Sequence, residues 1–331
     1  MRDGGVGVRR IRDEPNRGVR PTRRAGAQTK TVIRYGDVLP ANYPSVVALE
    51  AAGKEIADKT GGRLELQSFP ASQLGTQRDM IEALASNALQ LYTDGAGTFG
   101  SWVPAISVLE APYIWRDAAH MAKGMASADA QSLSDALVKT RSMRIVDTIY
   151  YGTRQLTTAN KEVRDPKDMI RFKLRVPPVD VFNAMAEAWG ARPTPINFGE
   201  LYLALKQELV DGQENPLPTI QSAKINEVQK YLILTAHIIT PRFVVVNEQF
   251  WRGLSDPDRT IMQTALAKAV TTANVEIIRQ ETVLLDTFAR GGMTIITPDV
   301  GAFRDAVIKA VPPKFESRWG KGTFERLQSL A

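Results

Sequence analysis

Two arginines and an asparagine have the residue types and neighbours expected of a site for a small anion. Arg175 lies in FKLRVPPVD, Arg154 in YGTRQLTTAN and Asn215 in VDGQENPLP. A guanidinium in a closed cleft can form two parallel charge-assisted hydrogen bonds with a carboxylate, a geometry that lysine lacks. A solvated arginine at a sheet edge would have the same local sequence. The nine residues around Arg175 therefore leave both interpretations open.

The pattern around Arg175 predicts a strand that stops immediately after it. Apolar and polar residues alternate from Phe172 to Val176, as in a half-buried strand, and two prolines then prevent further backbone pairing. In open α/β sheets, ligands collect beyond the carboxyl ends of the strands. We therefore expect the two arginines and the asparagine to converge in one crevice.

Strand-like and helix-like segments alternate along the chain, which predicts an α/β fold. The strand-like segments are 31–35, 64–69, 89–92, 141–151, 172–176 and 243–246, and the helix-like segments are 44–60, 78–87, 181–189 and 198–207. A much longer helical pattern runs from Asp256 to Arg290, with Pro257 suited to its first turn and two glycines suited to its end. Because one small domain does not need a helix of that length, we predict that it braces two domains.

Composition argues against several kinds of function. The 331 residues are 44% hydrophobic and 24% charged, as in a globular protein of two domains or one large domain. The chain has no cysteine, which excludes thiolate catalysis, disulfides and cysteine-ligated metals. His120 and His237 lie too far apart for a metal-ligand motif, and no phosphate-binding or catalytic motif is present. We therefore predict a binding protein without enzymatic activity, metal or cofactor.

The basic charge is concentrated at the amino terminus. The net charge is +6, and residues 1–28 hold eight arginines against three acidic residues, which accounts for +5. The rest of the chain is nearly neutral, so we expect no nucleic-acid partner. Residues 1–28 are predicted to be a disordered basic leader or a processed segment, because they lack an apolar run but end in AGAQ, which fits a signal-peptidase site.

Several motifs, in their order, resemble one family of transport receptors. GTRQ-x-T, KLRVP, E-x-Y-x-A-L, VDGQENP, EVQKY and T-x-H occur in that succession, and the likeness extends over about residues 30–325. They are similar to the motifs of the extracytoplasmic solute receptors of tripartite ATP-independent periplasmic (TRAP) transporters, the DctP type. The resemblance implies a periplasmic monomer without enzymatic activity that delivers an organic acid to a permease with small and large membrane subunits.

The resemblance also implies a two-domain α/β periplasmic-binding-protein fold that closes on its ligand like a flytrap. The expected chain has three crossings between domains, and its long helix spans both. Domain I is expected to hold residues 29–151 and about 240–279. Domain II is expected to hold residues 152–239 and about 280–331.

The same motifs carry expected ligand contacts. The arginine of KLRVP in such receptors forms a bidentate pair with the ligand carboxylate, which assigns that role to Arg175. The resemblance further implies that Arg154 assists, that Asn215 hydrogen-bonds the carboxylate or nearby hydroxyls, and that Phe198 walls the pocket. Glu214 is expected to have a structural role, because an acid facing the site would repel an anion.

Departures from the sialic-acid receptors of this family favour a smaller ligand. Val38, Ala96 and Pro178 stand where those receptors place polar contacts. A nine-carbon sugar acid would leave buried hydroxyls unpaired beside them, which is costly.

Further contacts are expected from the first domain. Asp37, Asn42 and Asp94 are polar candidates, and Trp102 is a candidate wall. Carboxylates at 37 and 94 would accept hydrogen bonds from ligand hydroxyls, which favours a hydroxylated monocarboxylate such as a uronate, an aldonate or a short hydroxy acid. The alternatives are an aromatic or branched oxo acid, sialic acid, or use of the same fold as a ligand sensor.

Overall fold

A mixed sheet of nine strands organises the part of the chain that the structure describes, residues 1–5, 7 and 30–330 of a computed structural model. The predicted leader therefore lies mostly outside the described residues. The strand order is β2-β1-β3-β8-β4-β7-β5-β6, and β9 pairs with β8. The strands are β1 (Thr31–Gly36), β2 (Leu64–Phe69), β3 (Leu91–Gly95), β4 (Met143–Thr158), β5 (Lys173–Val176), β6 (Arg192–Pro195), β7 (Gly212–Pro216), β8 (Tyr231–Asn247) and β9 (Thr294–Ile296).

Helices alternate with the strands, as predicted for an α/β protein. They are α1 (Pro44–Lys59), α2 (Gln77–Ala85), α3 (Ala96–Phe99), α4 (Ala118–Met125), α5 (Ala128–Arg141), α6 (Asp180–Ala188), α7 (Leu201–Lys206), α8 (Leu217–Ser222), α9 (Glu248–Gly253), α10 (Asp256–Arg290), α11 (Val300–Trp319) and α12 (Thr323–Gln328). Short 3-10 segments occur at Pro104–Glu110, Pro166–Met169, Phe198–Glu200 and Ile225–Glu227.

The long strands β4 and β8 run through both halves of the sheet. The stretch of β4 from residue 143 to 150 pairs with the second half of β8, which also pairs with β3. The stretch from 153 to 158 pairs with the first half of β8 and with β7. The register shifts between Tyr150 and Thr153, where Gly152 adopts a φ of +114°. The two strands therefore cross from one half to the other beside this irregularity.

Helix α10 is a second connection between the two halves of the sheet, in addition to β4 and β8. It begins and ends where the sequence predicts, with the Ser255 hydroxyl accepting a hydrogen bond from the Asp258 backbone N–H and Gly291 following its last residue. It packs against α1 and β4, and further along against α8 and β9. Met262 and Ile277 lie in the larger hydrophobic core, whereas Leu284 and Phe288 lie in a smaller core with α7 and α8.

Candidate ligand-binding site

A narrow cavity lies where the two halves of the sheet meet. Its volume is about 40 Å³, room for about three water molecules. Residues at the carboxyl ends of β1, β3, β5 and β7 contribute to its wall, together with the middle of β4 and β8. The wall consists of Val38, Gln77, Asp94, Gly95, Thr98, Glu110, Tyr151, Arg154, Arg175, Pro177, Val179, Phe182, Phe198, Asn215, Thr240 and Arg242.

A larger cavity, of about 450 Å³, lies away from these motifs, among α4, α5, β4 and α10. Its wall is mostly apolar and contains Asp147 but no arginine or lysine. Burial raises the pKa of that carboxyl, so the surroundings disfavour negative charge there. This second cavity therefore lacks the chemistry of an anion site, and the narrow cavity is the better candidate.

Arg175 is held rigidly in the wall without a carboxylate partner. Its side chain is 1% exposed, and its Nε and Nη2 donate to the Ile196 carbonyl at 2.9 and 2.6 Å. Among the described residues, no acidic oxygen lies within 4.0 Å of its guanidinium nitrogens. Burial lowers the pKa of Arg175 to about 10 despite the attraction of Glu214. The remaining N–H groups of this fixed fork suit a ligand carboxylate.

Arg154 is also buried in the wall, but its charge is already paired. Its Nε donates to Glu214 Oε2 at 2.5 Å, and Nη2 donates to Glu214 Oε1 at 2.9 Å and to Asn215 Oδ1 at 3.1 Å. Although burial opposes the charged form, Glu214 holds the pKa of Arg154 above its ordinary value. The Phe182 ring centroid lies 5.0 Å from the guanidinium carbon. Arg154 therefore presents a fixed donor, whereas Arg175 presents an unpaired charge.

Glu214 connects Arg154 to a buried histidine. The His237 Nε2 lies 3.0 Å from Glu214 Oε2, and its Nδ1 lies 2.8 Å from the Thr235 hydroxyl. Burial lowers the pKa of His237, so the imidazole is neutral at pH 7. Burial by itself would raise the pKa of Glu214, yet Arg154 and His237 hold it below its ordinary value. Glu214 is thus the counter-ion of Arg154, in line with the structural role expected from sequence.

Asn215 and Phe198 complete the wall that the motifs predicted. Asn215 is buried, and while Oδ1 accepts from Arg154, Nδ2 donates to Gln213 Oε1 at 2.6 Å. Gln213 in turn donates to the Thr157 hydroxyl at 2.9 Å, so a chain of hydrogen bonds fixes the amide. Phe198 starts the 3-10 segment after β6 and lies half-buried beside the cavity.

A third buried arginine, Arg242 on β8, also lines the cavity, and sequence reasoning missed it. Its Nη2 donates to Asp37 Oδ1 at 2.6 Å, and its Nη1 lies 3.7 Å from Asp94 Oδ1. Burial opposes its charge, but these two carboxylates hold the pKa of Arg242 above its ordinary value. The sequence feature that could have indicated Arg242 is a single arginine immediately before the apolar run FVVV, which resembles the arginine inside KLRVP.

Glu110 is a second residue that the sequence did not single out. It ends the 3-10 segment before a proline-containing turn, and its Oε2 accepts from the Gly97 backbone N–H at 2.7 Å. Burial raises the pKa of Glu110 to about 7, against the attraction of Arg154. A Cβ at Gly95 would lie 2.7 Å from Glu110 Oε2, so glycine is needed for this approach. A lone glutamate in VLEAPY gives no periodic signal of this role.

Most of the chain matches the model of one protein family. The model of "Bacterial extracellular solute-binding protein, family 7" (DctP) matches residues 35–317. The chain belongs to this family. Its similar relatives include the sialic acid-binding periplasmic protein SiaP of Vibrio cholerae, 34% identical over 306 residues that cover 92% of this chain and 95% of the relative. The predicted resemblance is confirmed.

Solved structures of TRAP periplasmic solute-binding proteins share the fold of this family 7 protein. The protein from Polaromonas sp. JS666 bound to D-erythronate has a TM-score of 0.85 and 28% identity, covering 91% of this chain and 99% of that one. The protein from Sulfurospirillum deleyianum with bound succinate has a TM-score of 0.86 and 26% identity, covering 91% and 100%. The predicted α/β periplasmic-binding fold with a long spanning helix is confirmed.

The structure brings five of the eight predicted site residues of this family 7 protein to the cavity. Those five are Arg175, Arg154, Asn215, Phe198 and Asp94. Of the three positions where sialic-acid receptors were expected to differ, Val38 lines the cavity, Ala96 is buried beside it in α3, and Pro178 is exposed. Pro177 takes the place in the wall that was expected for Pro178.

The other three predicted site residues do not line this cavity, and their contact with a ligand stays a prediction. Asp37 is buried behind the wall, where it accepts from Arg242 and from the Tyr35 hydroxyl at 2.7 Å. Asn42 is exposed in the turn before α1. Trp102 is half-buried and donates from Nε1 to Glu82 Oε1 at 2.8 Å. Nearness in sequence to a strand end is the pattern that predicts each of them, and that pattern does not fix which atoms a side chain contacts.

The described residues contain neither a metal-site arrangement nor a membrane-spanning helix. No group of three histidine, aspartate or glutamate side chains there has the arrangement of a metal site. No helix in the same part of the chain has the length and apolar character needed to span a bilayer.

Proposed function

We propose that this protein is a periplasmic receptor, without enzymatic activity, for a small hydroxylated monocarboxylate such as a uronate, an aldonate or a short hydroxy acid. It acts as a monomer and delivers the acid to the small and large membrane subunits of a TRAP permease. The observation that carries the proposal is Arg175, a fully buried guanidinium in the cavity wall with no carboxylate partner among the described residues.

A carboxylate bound to Arg175 offsets two unfavourable burials. A carboxylate that leaves water must exchange its hydration for charge-assisted hydrogen bonds, and a buried arginine without a counter-ion is itself unfavourable. Binding joins the two and removes both penalties. Arg154 and Asn215 stand in the same wall with their orientations fixed, so they can add directional hydrogen bonds to the carboxylate.

The remaining wall supports a hydroxylated and small ligand. Gln77, Thr98 and Asp94 offer donors and acceptors for hydroxyl groups. The apolar Val38 offers no partner for the additional hydroxyls of a nine-carbon sugar acid. A similar protein binds D-erythronate, a small hydroxylated monocarboxylate.

Closure of two domains over this cavity is part of the proposal. We assign residues 29–151 and about 240–279 to domain I and residues 152–239 and about 280–331 to domain II. The cavity wall draws on both groups of residues, and β4, β8 and α10 connect them.

A thermal-shift screen with organic acids tests the proposal, followed by calorimetry with D-erythronate, D-galactonate and D-galacturonate. A ligand that binds the folded state stabilises it by about 2.7 kcal/mol at one hundred times Kd. We expect Arg175→Lys to weaken binding by about 1.5–3 kcal/mol, since a charged hydrogen-bonded fork is lost. The matched control is Arg171→Lys, an exposed position on the same segment. Unchanged affinity of Arg175→Lys, or stabilisation by no acid, would refute the proposal.

A further inference from the structure

Part of the cavity wall is built by the β3 half of the molecule together with β8. This β3-side wall, defined as Gln77, Asp94, Glu110, Thr240 and Arg242, is distinct from the carboxylate-binding group around Arg175. It comes from the start of α2, the end of β3, the 3-10 segment before the turn at Ala111, and the middle of β8.

One buried donor in the β3-side wall has no hydrogen-bond partner among the described residues. It is Nε of Arg242, whose side chain is 3% exposed. The hydroxyl of Thr240, a residue that is 1% exposed, lies beside the Glu110 carboxyl and lowers the pKa of that group. Buried polar groups are nearly always paired, so an orphaned donor in a binding cavity indicates where a ligand atom belongs. Nε of Arg242 therefore suits a ligand atom that accepts a hydrogen bond.

The charges of the β3-side wall decide which polar atom fits. Arg242 is already neutralised, because Asp37 and Asp94 both lie beside its guanidinium. Glu110 differs from Asp94 in having no cation within 4.0 Å among the described residues. The Gly97 backbone N–H donates to Glu110, and the Thr240 hydroxyl lies beside it. A second carboxylate at this wall would therefore meet two carboxyl groups and no unpaired cation. A hydroxyl can donate to Glu110 or Asp94 and accept from Arg242 or Thr240.

We propose that the β3-side wall is a second polar subsite that binds the terminal hydroxyl of the ligand and rejects a second carboxylate, with Glu110 as its specificity-determining residue. The receptor then takes hydroxylated monocarboxylates in preference to dicarboxylates of the same chain length. This inference rests on the proposed function of the cavity as an organic-acid site.

Paired ligands test the inference directly. D-erythronate and meso-tartrate share a four-carbon chain, and D-galactonate and galactarate share a six-carbon chain. Within each pair, the terminal carbon is either a hydroxymethyl group or a carboxylate. Binding is measured by calorimetry at pH 8, where Glu110 is charged and faces Arg154, Asp94 and the Gly97 N–H. In the pair that binds, we expect wild type to prefer the hydroxymethyl acid over the dicarboxylate by about tenfold or more in Kd.

Glu110→Gln removes the charge and keeps the shape of the side chain. We expect it to reduce that preference by about tenfold, chiefly through tighter binding of the dicarboxylate. Thr240→Val should weaken the aldonate while preserving the preference. The control is Glu200→Gln, an exposed acid next to Phe198 and outside the cavity wall, which should change neither value.

The outcomes separate the two proposals. A wild-type protein that binds the dicarboxylate as tightly as the aldonate overturns the second subsite, while the proposed function stands as long as acids bind through Arg175. This wild-type comparison does not depend on whether any variant folds. A preference that survives unchanged in a folded Glu110→Gln protein removes the role assigned to Glu110. If none of the four acids binds and the wider screen also fails, the proposed function itself fails.

Discussion

At the scale of single residues, the cavity is organised by how each buried arginine is neutralised. Arg154 is paired with Glu214, and Arg242 with Asp37 and Asp94, whereas Arg175 donates to a backbone carbonyl. A carbonyl fixes the orientation of a guanidinium but does not cancel its charge. The difference among the three arginines is therefore what makes the cavity attractive to one carboxylate.

Glu110 should make the stability of the protein depend on pH. In the folded protein its pKa is about 7, against an ordinary value of 4.5. Between these values the folded state keeps a proton that the unfolded state has released, so stability falls as pH rises through this window. The loss is on the order of 3 kcal/mol, at about 1.4 kcal/mol per pH unit.

Urea denaturation of wild type and Glu110→Gln from pH 4.5 to pH 8 measures this effect. The variant lacks the titrating group, so its free energy of unfolding should fall less over the range. Glu200→Gln serves as the comparison, because that side chain is exposed. Parallel curves for wild type and Glu110→Gln would show that Glu110 does not titrate in this window.

At the scale of elements, the crossing of β4 between the two halves depends on Gly152. Its φ of +114° disfavours any side chain, and a Cβ there would lie 2.8 Å from Pro216 Cβ and 3.0 Å from Glu281 Oε1. Glu281 accepts from the Thr153 backbone N–H at 2.6 Å and from the Tyr150 hydroxyl at 2.7 Å, which ties this crossing to α10. The irregular strand and the long helix are thus joined at one point.

We expect Gly152→Ala to destabilise the protein by about 1–3 kcal/mol, from backbone strain and the collision with Pro216. The free energy of unfolding in urea measures the change. Gly253→Ala is the matched control, because a Cβ at that position meets no atom within 4 Å. Equal stabilities of the two variants would contradict the strain argument.

Elements with strong periodicity or clear terminal residues could be predicted, and loops could not. The bounds of α10 follow from Ser255, Pro257 and Gly291, and β5 follows from alternation ended by two prolines. Segment 95–100 shows no helical periodicity in the sequence, yet it contains the short helix α3, because a single turn has too few residues to show a period. Trp102 lies just beyond it, and for the same reason its direction could not be read from the sequence.

At the scale of the whole molecule, the arrangement supports hinged closure. The cavity lies between two groups of elements joined through β4, β8 and α10, and it is narrow in this structure. When two halves close on a ligand that lies between them, the ligand gains contacts with both halves. A ligand can shift the equilibrium between the open and closed states by no more than the difference between its binding free energies for those two states.

Small-angle X-ray scattering tests closure. Addition of saturating D-erythronate, or of whichever acid the screen identifies, should lower the radius of gyration of wild type. Arg175→Lys, at the same ligand concentration, should remain nearer the value without ligand, because fewer molecules are bound. An unchanged radius in ligand-saturated wild type would show that the halves do not move.

The sequence by itself determined the fold class, the family, the long helix, and a core of the candidate site in Arg175, Arg154 and Asn215. These follow from periodicity, from prolines and glycines at element ends, and from contiguous motifs, all of which are local properties of the chain. Tertiary structure decided how the charges are paired. Arg242 lies 205 residues from Asp37 along the chain. Their salt bridge forms because only β3 separates β8, which carries Arg242, from β1, which Asp37 follows. The order of strands in the sheet brings such distant residues together, and a local sequence pattern does not indicate that order.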